Sequence, residues 1–467
     1  MGNSLTKDVE SFKQDIRQLE KYILSKAIEW ARKVYQSILN QLDDLIKENR
    51  DKELLKVAHN RDTWYKTCLG AIKVKRRYYR DQFGKYHYPL DELLSMDKYR
   101  HITLNVQQLA LEMASAMTFR KSAEVLEKTT AISLSHQTIK NLLTRVADRY
   151  LAQKKKEITY LIETEEVTEG DGKKADILLM EADGVMLSLQ RQKARKAEVK
   201  LGIAYEGWDK VGKDRYKTTN KTFYADIASS ERFWADFTLK LQSKYDLAGI
   251  KQFVLGGDGA SWVKDGLDYF DGQFQLSRYH YNKEIRRVLG NDKEALGLIR
   301  GSCEKGDIAA VSDKLKILRK ITKGEHTLEI KRLERYLVSN AFGFKDYRLV
   351  SNNSGGGIMR RTGAIEGNVD KLIARRMKNQ GMSWSPRGIR SMLFVRFKVL
   401  EKKLEGCLYE NAPKVNIPTL DKRRVNRVID KTIKQNYFEW FNARVPALSG
   451  PHASRPWVRI LKSLVEA

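Results

Sequence analysis

Ile177-Leu178-Leu179-Met180-Glu181-Ala182-Asp183-Gly184 is the stretch on which the reading of this chain turns. Four consecutive apolar residues, soon closed by a glycine, are too few for a buried helix and read as a buried strand. The aspartate then comes where the strand runs out, and open α/β sheets place their sites at the carboxyl ends of strands. A second run of the same form, Phe253-Val254-Leu255 followed by Gly256-Gly257-Asp258-Gly259, lies 75 residues beyond Asp183. If the two strands are neighbours, Asp183 and Asp258 stand side by side.

Between and beyond these runs the pattern alternates. Residues 199–208 and 222–227 read as further strands, joined to the first by a basic connection over 191–196. Residues 229–245 read as a helix capped by Ser229 or Ser230, residues 262–269 as a short helix, and residues 273–276 as a last strand. Three strands, a helix, a strand, a helix and a strand make the skeleton of a ribonuclease H-like α/β sheet. Residues 283–349 carry no strand signal, and no proline interrupts the chain between Pro89 and Pro386. They predict an all-helical insertion. Gly355-Gly356-Gly357 then leads to Gly363-Ala364-Ile365-Glu366-Gly367-Asn368, which opens a basic helix running to about residue 379.

Upstream, residues 8–58 read as one long helix or a helical pair. Ile16, Leu19, Ile23, Ala27, Trp30, Val34, Ile38, Leu42 and Leu45 recur at spacings of three and four. That stripe packs on its own protein or, being nearly heptad-like, on a second copy. Residues 67–88 are β-like, with a hairpin expected around Asp81-Gln82-Phe83-Gly84. The interleaving in Arg76-Arg77-Tyr78-Tyr79-Arg80 suits phosphate contact and stacking, although aromatics in strands are more often core. Residues 106–117, 120–128 and 136–150 give three helices, the third capped by Ser133 or Ser135. Its apolar face is Ile139, Leu142, Leu143 and Val146. Gln137, Lys140, Asn141 and Arg145 on the rest make it a candidate helix-turn-helix reader of DNA.

The expected organisation is a helical segment over 1–60 and a β-hairpin with linker over 61–100. A helix-turn-helix-like unit over 101–150 completes a mainly helical N-terminal DNA-binding region. The core follows over 170–282, the helical insertion over 283–350, core completion with the Glu366 helix over 351–412, and a basic tail over 413–467. Lys154-Lys155-Lys156 and the acidic residues 163–169 read as the linker into the core.

Composition narrows the function. The 467 residues carry 87 Lys and Arg against 59 Asp and Glu, a net charge of +28. That surplus points to a polyanion, most economically nucleic acid, or else to a solvated surface with no partner. No apolar stretch approaches a membrane span, and the N-terminus lacks a signal-peptide core. Cys68, Cys303 and Cys407 lie far apart, which excludes a disulfide scaffold and a cysteine-rich zinc site. Met1-Gly2-Asn3-Ser4-Leu5-Thr6 fits a myristoylation pattern, but six-residue matches arise by chance and one acyl chain anchors only marginally. There is no phosphate-binding Gly-x-x-x-x-Gly-Lys-Ser/Thr and no His-Glu-x-x-His.

A single Asp-Gly after a strand is usually a turn. Two in strand context within one α/β block, with a Glu at a Gly-rich helix start, read differently. Facing carboxylates repel unless a cation lies between them, which suggests a hard divalent metal held by Asp183, Asp258 and Glu366. Two Mg²⁺ ions, with Mn²⁺ as a substitute, would activate water and steady the leaving oxygen in an in-line attack on phosphorus. Arg375 and Arg376 would hold backbone phosphates. Glu181, Asp171 and Asp370 are neighbouring carboxylates with weaker claims: Asp171 precedes the strand, Glu181 shares the side of Asp183 only if the strand runs on, and Asp370 lies one helical turn past Glu366.

Met180-Glu181-Ala182-Asp183-Gly184, Gly256-Gly257-Asp258-Gly259-Ala260, Glu366-Gly367-Asn368 with its basic helix, and Gly381-Met382-Ser383-Trp384 together resemble the ISLre-type insertion-sequence transposases, long catalogued as an uncharacterised protein family. The resemblance extends to the hairpin at residues 76–79, the helix start at residues 133–138 and the closing Gly450-Pro451-His452 and Trp457. It implies a DDE transposase of the bacterial cytoplasm, acting at the nucleoid, that binds terminal inverted repeats. Metal-dependent cleavage, strand transfer and a homo-oligomer in synapsis follow from it, with the catalytic triad on Asp183, Asp258 and Glu366. The 108 residues from Asp258 to Glu366 then hold a helical insertion, as in the Mutator-like and hAT-like groups. Those groups often carry an acid or cysteine three residues before a histidine; here the stretch is Ser277-Arg278-Tyr279-His280, with the histidine but not the acid. Readings without strand transfer are a non-catalytic DNA-binding protein and a structure-specific nuclease.

Overall fold

The computed structural model describes residues 19–94, 96, 101–164, 172–349, 358–379, 381–410 and 422–441. The motif at residues 1–6, Asp171, most of the acidic linker, the Gly355–357 cluster and the motifs beyond residue 441 lie outside them. The chain forms two compact units, residues 1–143 with 401–467, and residues 144–400. Among the described residues no helix is long and apolar enough to cross a membrane.

In the first unit, α1 (Leu19–Asn49) is followed by β1 (Lys56–Thr67), β2 (Gly70–Arg80) and the two-residue β3 (Tyr86–His87) in an antiparallel sheet of order β1-β2-β3. The hairpin expected around residues 81–84 is present, joining β2 to β3, and a longer one joins β1 to β2 at Cys68-Leu69, with Thr67 paired to Gly70. Val34, Ile38 and Leu42 of the stripe, with Leu39 and Ile46, are buried against Tyr65, Ile72, Val74 and Tyr79 of the sheet, so this part of the stripe packs on its own protein, whereas Ile23 is exposed. The helix also closes the free edge of β2. Gln36 donates to the Lys73 carbonyl (2.6 Å), while Asn40 and Asp43 accept from the Lys75 and Arg77 amides (both 3.3 Å). Covering an edge in this way removes a template for pairing with other chains.

The Arg/Tyr run is structural. Arg76 is buried in an ion pair with Asp91, Arg77 bridges Asp43 and Asp44 (2.7 Å each), and Tyr78 and Tyr79 are buried. The expected stacking and phosphate contacts from Arg76 to Tyr79 are thus replaced by a polar core. The C-terminal segment read as a basic tail contains a helix, Lys422–Phe441, whose Thr432 hydroxyl donates to Gln41 of α1 (2.8 Å). The three helices α2 (Leu104–Ala116), α3 (Phe119–Thr129) and α4 (His136–Thr164) are where the periodicity put them, with Ser135 accepting from the Thr138 amide (3.1 Å). The last runs well past residue 150, and the boundary between units falls within it.

In the second unit β4 (Ile177–Ser188), β5 (Lys196–Tyr205), β8 (Thr222–Asp226), β9 (Gln252–Gly257) and β10 (Gly272–Leu276) form one sheet of order β10-β9-β4-β5-β8. A small hairpin of β6 (Trp208–Lys210) and β7 (Tyr216–Thr218) interrupts the count. β5 pairs antiparallel with β4 on one side and with β8 on the other; β9 and β10 run parallel to β4. Leu178, Leu179, Met180 and Ala182 are wholly buried, as a central strand covered on both faces requires. α5 (Ser230–Gln242) covers the sheet with Phe233, Trp234 and Phe237, its Ser229 cap accepting from the Arg232 amide (3.4 Å).

The insertion consists of α6 (Arg278–Leu289), α7 (Lys293–Lys305), α8 (Ile308–Ile321) and α9 (Glu325–Ser339). Ile285, Ile299, Val311, Leu315, Leu333 and Leu337 join the same apolar core as the sheet. After it come α10 (Ala364–Asn368), a π-helical turn over Val369–Ala374, a short helix Arg375–Met377 and α11 (Pro386–Leu400).

Candidate active site

Asp183 is not at the end of its strand. β4 continues to Ser188, paired with β5 throughout, and Gly184 is a strand residue rather than a turn. A Cβ at Gly184 would meet the Glu198 carboxylate of β5 at 2.3 Å, so close approach of that side chain explains the glycine. Parallel pairing of Ala182 with Gly257 sets Asp183 and Asp258 on adjacent strands at the same level. Gly259, at φ 89°, then turns the chain away in a conformation that favours glycine, with Asn340 packed where a side chain would lie.

Asp183, Asp258 and His280 each present a ligand atom within 4.8 Å of the others. His280 Nε2 lies 3.9 Å from Asp183 Oδ2 and 3.9 Å from Glu366 Oε1. All three candidate carboxylates therefore converge around one imidazole, which comes from the first turn of α6. Ser277, at the acid position of the motif, donates its hydroxyl to Glu366 Oε1 (2.8 Å). That bond orients Glu366 with a neutral group.

Two further attachments fix the cluster. Glu181, 1% exposed, accepts from the Tyr205 hydroxyl and from the backbone amides of Ala364 (3.0 Å) and Ile365 (3.1 Å). The carboxylate thus caps the helix that carries Glu366, and it favours the partial positive charge there. Burial pushes its pKa up while these donors pull the other way. The Asp258 carbonyl accepts from the Tyr336 hydroxyl of α9 (2.8 Å), so the insertion holds the second aspartate.

The Glu366 helix is also held at its far end. Asn368 accepts from Lys221 (2.7 Å), and Arg396 of α11, almost buried, donates to the Leu372 carbonyl (2.6 Å) and to that of Lys371. Those carbonyls belong to the π-helical turn, where the normal ladder is offset, a feature frequent at functional sites.

Charge follows geometry. Burial pushes the Asp183 carboxyl up to about 7, and the neighbouring Asp258, Glu366 and Glu198 charges push the same way against one hydrogen bond from the Gly184 amide (2.7 Å). A carboxyl so placed needs either a proton or a cation. Two carboxylates and one imidazole within reach of one another, with Glu366 beside the imidazole, suit a divalent ion, and the nitrogen makes Mn²⁺ as acceptable as Mg²⁺.

The remaining candidates disperse. Gln137 and Lys140 are exposed on α4 and Asn141 is half-buried, accepting from Gln137 (3.0 Å). Arg145 is half-buried, and burial together with Arg149 lowers its pKa. Arg375 is exposed and paired with Asp370 (2.6 Å). Arg376 is 2% exposed, its guanidinium 5.3 Å over the Trp384 ring, and it is not available to a phosphate. Sequence reasoning assigned no role to Glu181, Tyr205, Ser277 or Tyr336. For Glu181 the available signal was its spacing of two from Asp183, which puts both on one face of a continuing strand.

Comparison with known proteins matches residues 11–411 to a family described as "Uncharacterised protein family (UPF0236)". A UPF0236 protein of Caldanaerobacter subterraneus subsp. tengcongensis, whose name spans eleven locus designations, is 26% identical over 78% of this chain and 73% of its own length. A second from that strain, spanning four loci, is 25% identical over the same shares. A Streptococcus gallolyticus protein, named for its position in the vanSb 3′ region, is 26% identical over 70% of each chain.

Proposed function

The chain belongs to the UPF0236 family, whose description assigns no chemistry, and from its own site we propose that it is a DDE transposase. In this reading it binds the terminal inverted repeats of a bacterial insertion sequence, cleaves DNA there and joins the freed 3′-OH to target DNA. The observation that carries the reading is the convergence of Asp183, Asp258 and Glu366 around His280 at one rim of the sheet.

Further features support it. We read the sheet as ribonuclease H-like: an antiparallel meander β4, β5, β8, with β9 and β10 added parallel on the other side of β4. The third acid comes from a helix docked on β4 by Glu181. One relative's reading frame recurs at eleven loci of one strain, the trace a mobile element leaves. The basic composition, +28 overall, suits a DNA partner.

Asp183, Asp258 and Glu366 would hold Mg²⁺ or Mn²⁺. Bound there, two ions would supply an activated nucleophile and neutralise charge on the phosphate. The protein's part is positional: Ser277 orients Glu366, Tyr336 steadies the turn at Asp258, and Glu181 fixes the third acid against the strand that carries the first. His280 presents its imidazole to both Asp183 and Glu366 and is placed to exchange a proton or a ligand contact with them. Two DNA ends must be handled together, so the active form in this reading is a homo-oligomer.

The test uses the DNA that flanks this reading frame, as labelled duplex ends with Mg²⁺ or Mn²⁺. Nicking and joining by the wild type, lost in Asp183→Ala, Asp258→Ala and Glu366→Ala while end binding persists, is the expected result. Binding with no nicking under any metal makes the chain a non-catalytic DNA-binding protein. Cleavage that never leads to joining makes it a structure-specific nuclease.

A further inference from the structure

The β4–β5 hairpin ends in Leu189-Gln190-Arg191-Gln192-Lys193-Ala194-Arg195-Lys196. Residues 190–196 are all exposed and include four cations and no acid. None of Arg191, Lys193, Arg195 and Lys196 forms an ion pair among the described residues, whereas Lys200 on the same strand has Glu198, and Arg390 has Asp226. Four unshielded like charges within one turn repel one another, a cost that an anionic partner would reverse. Arg191 also sits at φ 56°, an uncommon conformation for a side-chain-bearing residue.

The position of this tip is specific. β4 runs from Ile177 past Asp183 to Ser188, so the tip extends from the end of the sheet at which the carboxylates lie. Eight residues separate Asp183 from Arg191, a reach of at most about 26 Å in extended chain. That spans roughly seven base pairs of duplex, at about 3.4 Å per nucleotide along one strand.

The base of the tip is fixed. The Leu189 amide donates to the Arg195 carbonyl (2.8 Å), closing the hairpin. Trp384 then locks it from the side: its amide donates to the Ser188 carbonyl and its carbonyl accepts from the Gln190 amide (2.9 Å each). The Trp384 ring is buried, its Nε1 donating to the Met377 carbonyl (2.9 Å) at the end of the segment that begins with Glu366. A mobile charged loop would have no such brace.

We propose that residues 190–196 grip the sugar–phosphate backbone of duplex DNA several nucleotides from the phosphodiester presented to Asp183, Asp258 and Glu366. This rests on the transposase reading above and names a surface by which that site takes hold of its substrate. The contact is to phosphate and therefore independent of sequence; the long, flexible arginines and lysines suit a backbone whose exact register varies.

The experiment measures binding of the full chain to a fluorescein-labelled duplex of about 40 base pairs by anisotropy, in EDTA, across a salt series. The variant is Arg191→Gln/Lys193→Gln/Arg195→Gln/Lys196→Gln. A control with the same charge change, Lys293→Gln/Lys305→Gln/Lys320→Gln/Lys323→Gln, removes exposed lysines from the helical insertion. Each lost phosphate contact lowers the slope of log K against log salt by about 0.9. The hairpin variant is expected to lose about 2–4 of slope and about 10- to 100-fold in affinity at about 0.1 M salt, the control less than about threefold. Circular dichroism and melting temperature should be unchanged in both, since the altered side chains are exposed. Equal losses in the two variants, or a hairpin variant that binds like wild type, overturn the inference and leave the transposase reading standing. A wild type that binds no duplex even at low salt overturns both.

Discussion

Glu181 and Asp183 project from the same face of β4 two residues apart, yet the first is sealed beneath the Glu366 helix and the second faces the open rim. The strand thereby uses one carboxylate to fasten the helix that delivers the third acid, and the next carboxylate on that face to meet it. Substituting Glu181 tests the arrangement. In Glu181→Gln the amide nitrogen would face donors already committed to an acceptor, at a cost of about 1–3 kcal/mol. The folded variant should need at least several-fold more Mn²⁺ for half-maximal stabilisation in a thermal melt. An unchanged metal midpoint with a lowered melting temperature would assign Glu181 to the fold alone.

Asp183 makes metal-free stability depend on pH. Its folded pKa, pushed up to about 7, lies above the ordinary value of 3.8, so the folded chain binds the proton more tightly than the unfolded chain. Stability contributed at this position therefore falls as pH rises from about 4 to about 7 and is flat above. Asp183→Asn should be more stable than wild type at pH 8 in EDTA, by about 1–4 kcal/mol, and the difference should vanish towards pH 4. Denaturant midpoints at the two pH values measure it. Added Mn²⁺ should stabilise the wild type and not the variant.

Ser277→Ala removes the hydroxyl that donates to Glu366. The hydroxyl is small and the site polar, so the melting temperature should change by no more than about 1 kcal/mol equivalent. Metal-dependent nicking should fall by about tenfold or more, with DNA binding intact. Wild-type nicking in this variant would show that Glu366 holds its position without help.

Arg375 and Arg376 are adjacent and should behave oppositely. Arg376→Ala opens a void beneath Trp384 and should cost about 2–4 kcal/mol in denaturant unfolding. Arg375→Ala changes an exposed ion pair and should stay within about 0.5 kcal/mol. Equal effects would contradict the packing described for Arg376.

Much of this was legible in the sequence. Apolar runs at residues 177–180 and 253–255 announced two central strands because a strand covered on both faces is built mainly of apolar side chains. The helical periodicities of residues 106–150 and of the insertion survived as well. The sequence was less informative where burial and composition part company. β1 reads as polar because most of its side chains are exposed, yet its backbone pairs with β2 along its length apart from a bulge at Ala58. Gly184 looks like a turn, although the alternation of buried Val185 and Leu187 with exposed Met186 and Ser188 marks a continuing strand. Arg76 and Arg376 look like surface cations and are core residues, since an arginine with an internal carboxylate or a ring face needs no water. The π-helical turn after Glu366 left no trace in composition, and Arg396, distant in sequence, takes two of its carbonyls.

The fastening of α10 by Glu181 has a consequence for shortened copies of this gene. A chain that stopped after β10 but before residue 363 would retain every strand of the sheet yet lose the amides of Ala364 and Ile365 and leave the Glu181–Tyr205 pair uncovered. Such a fragment would be prone to unfold and be degraded rather than compete for DNA in the proposed reading, so nonsense mutations that fall between β10 and residue 363 should silence the gene without creating an inhibitor.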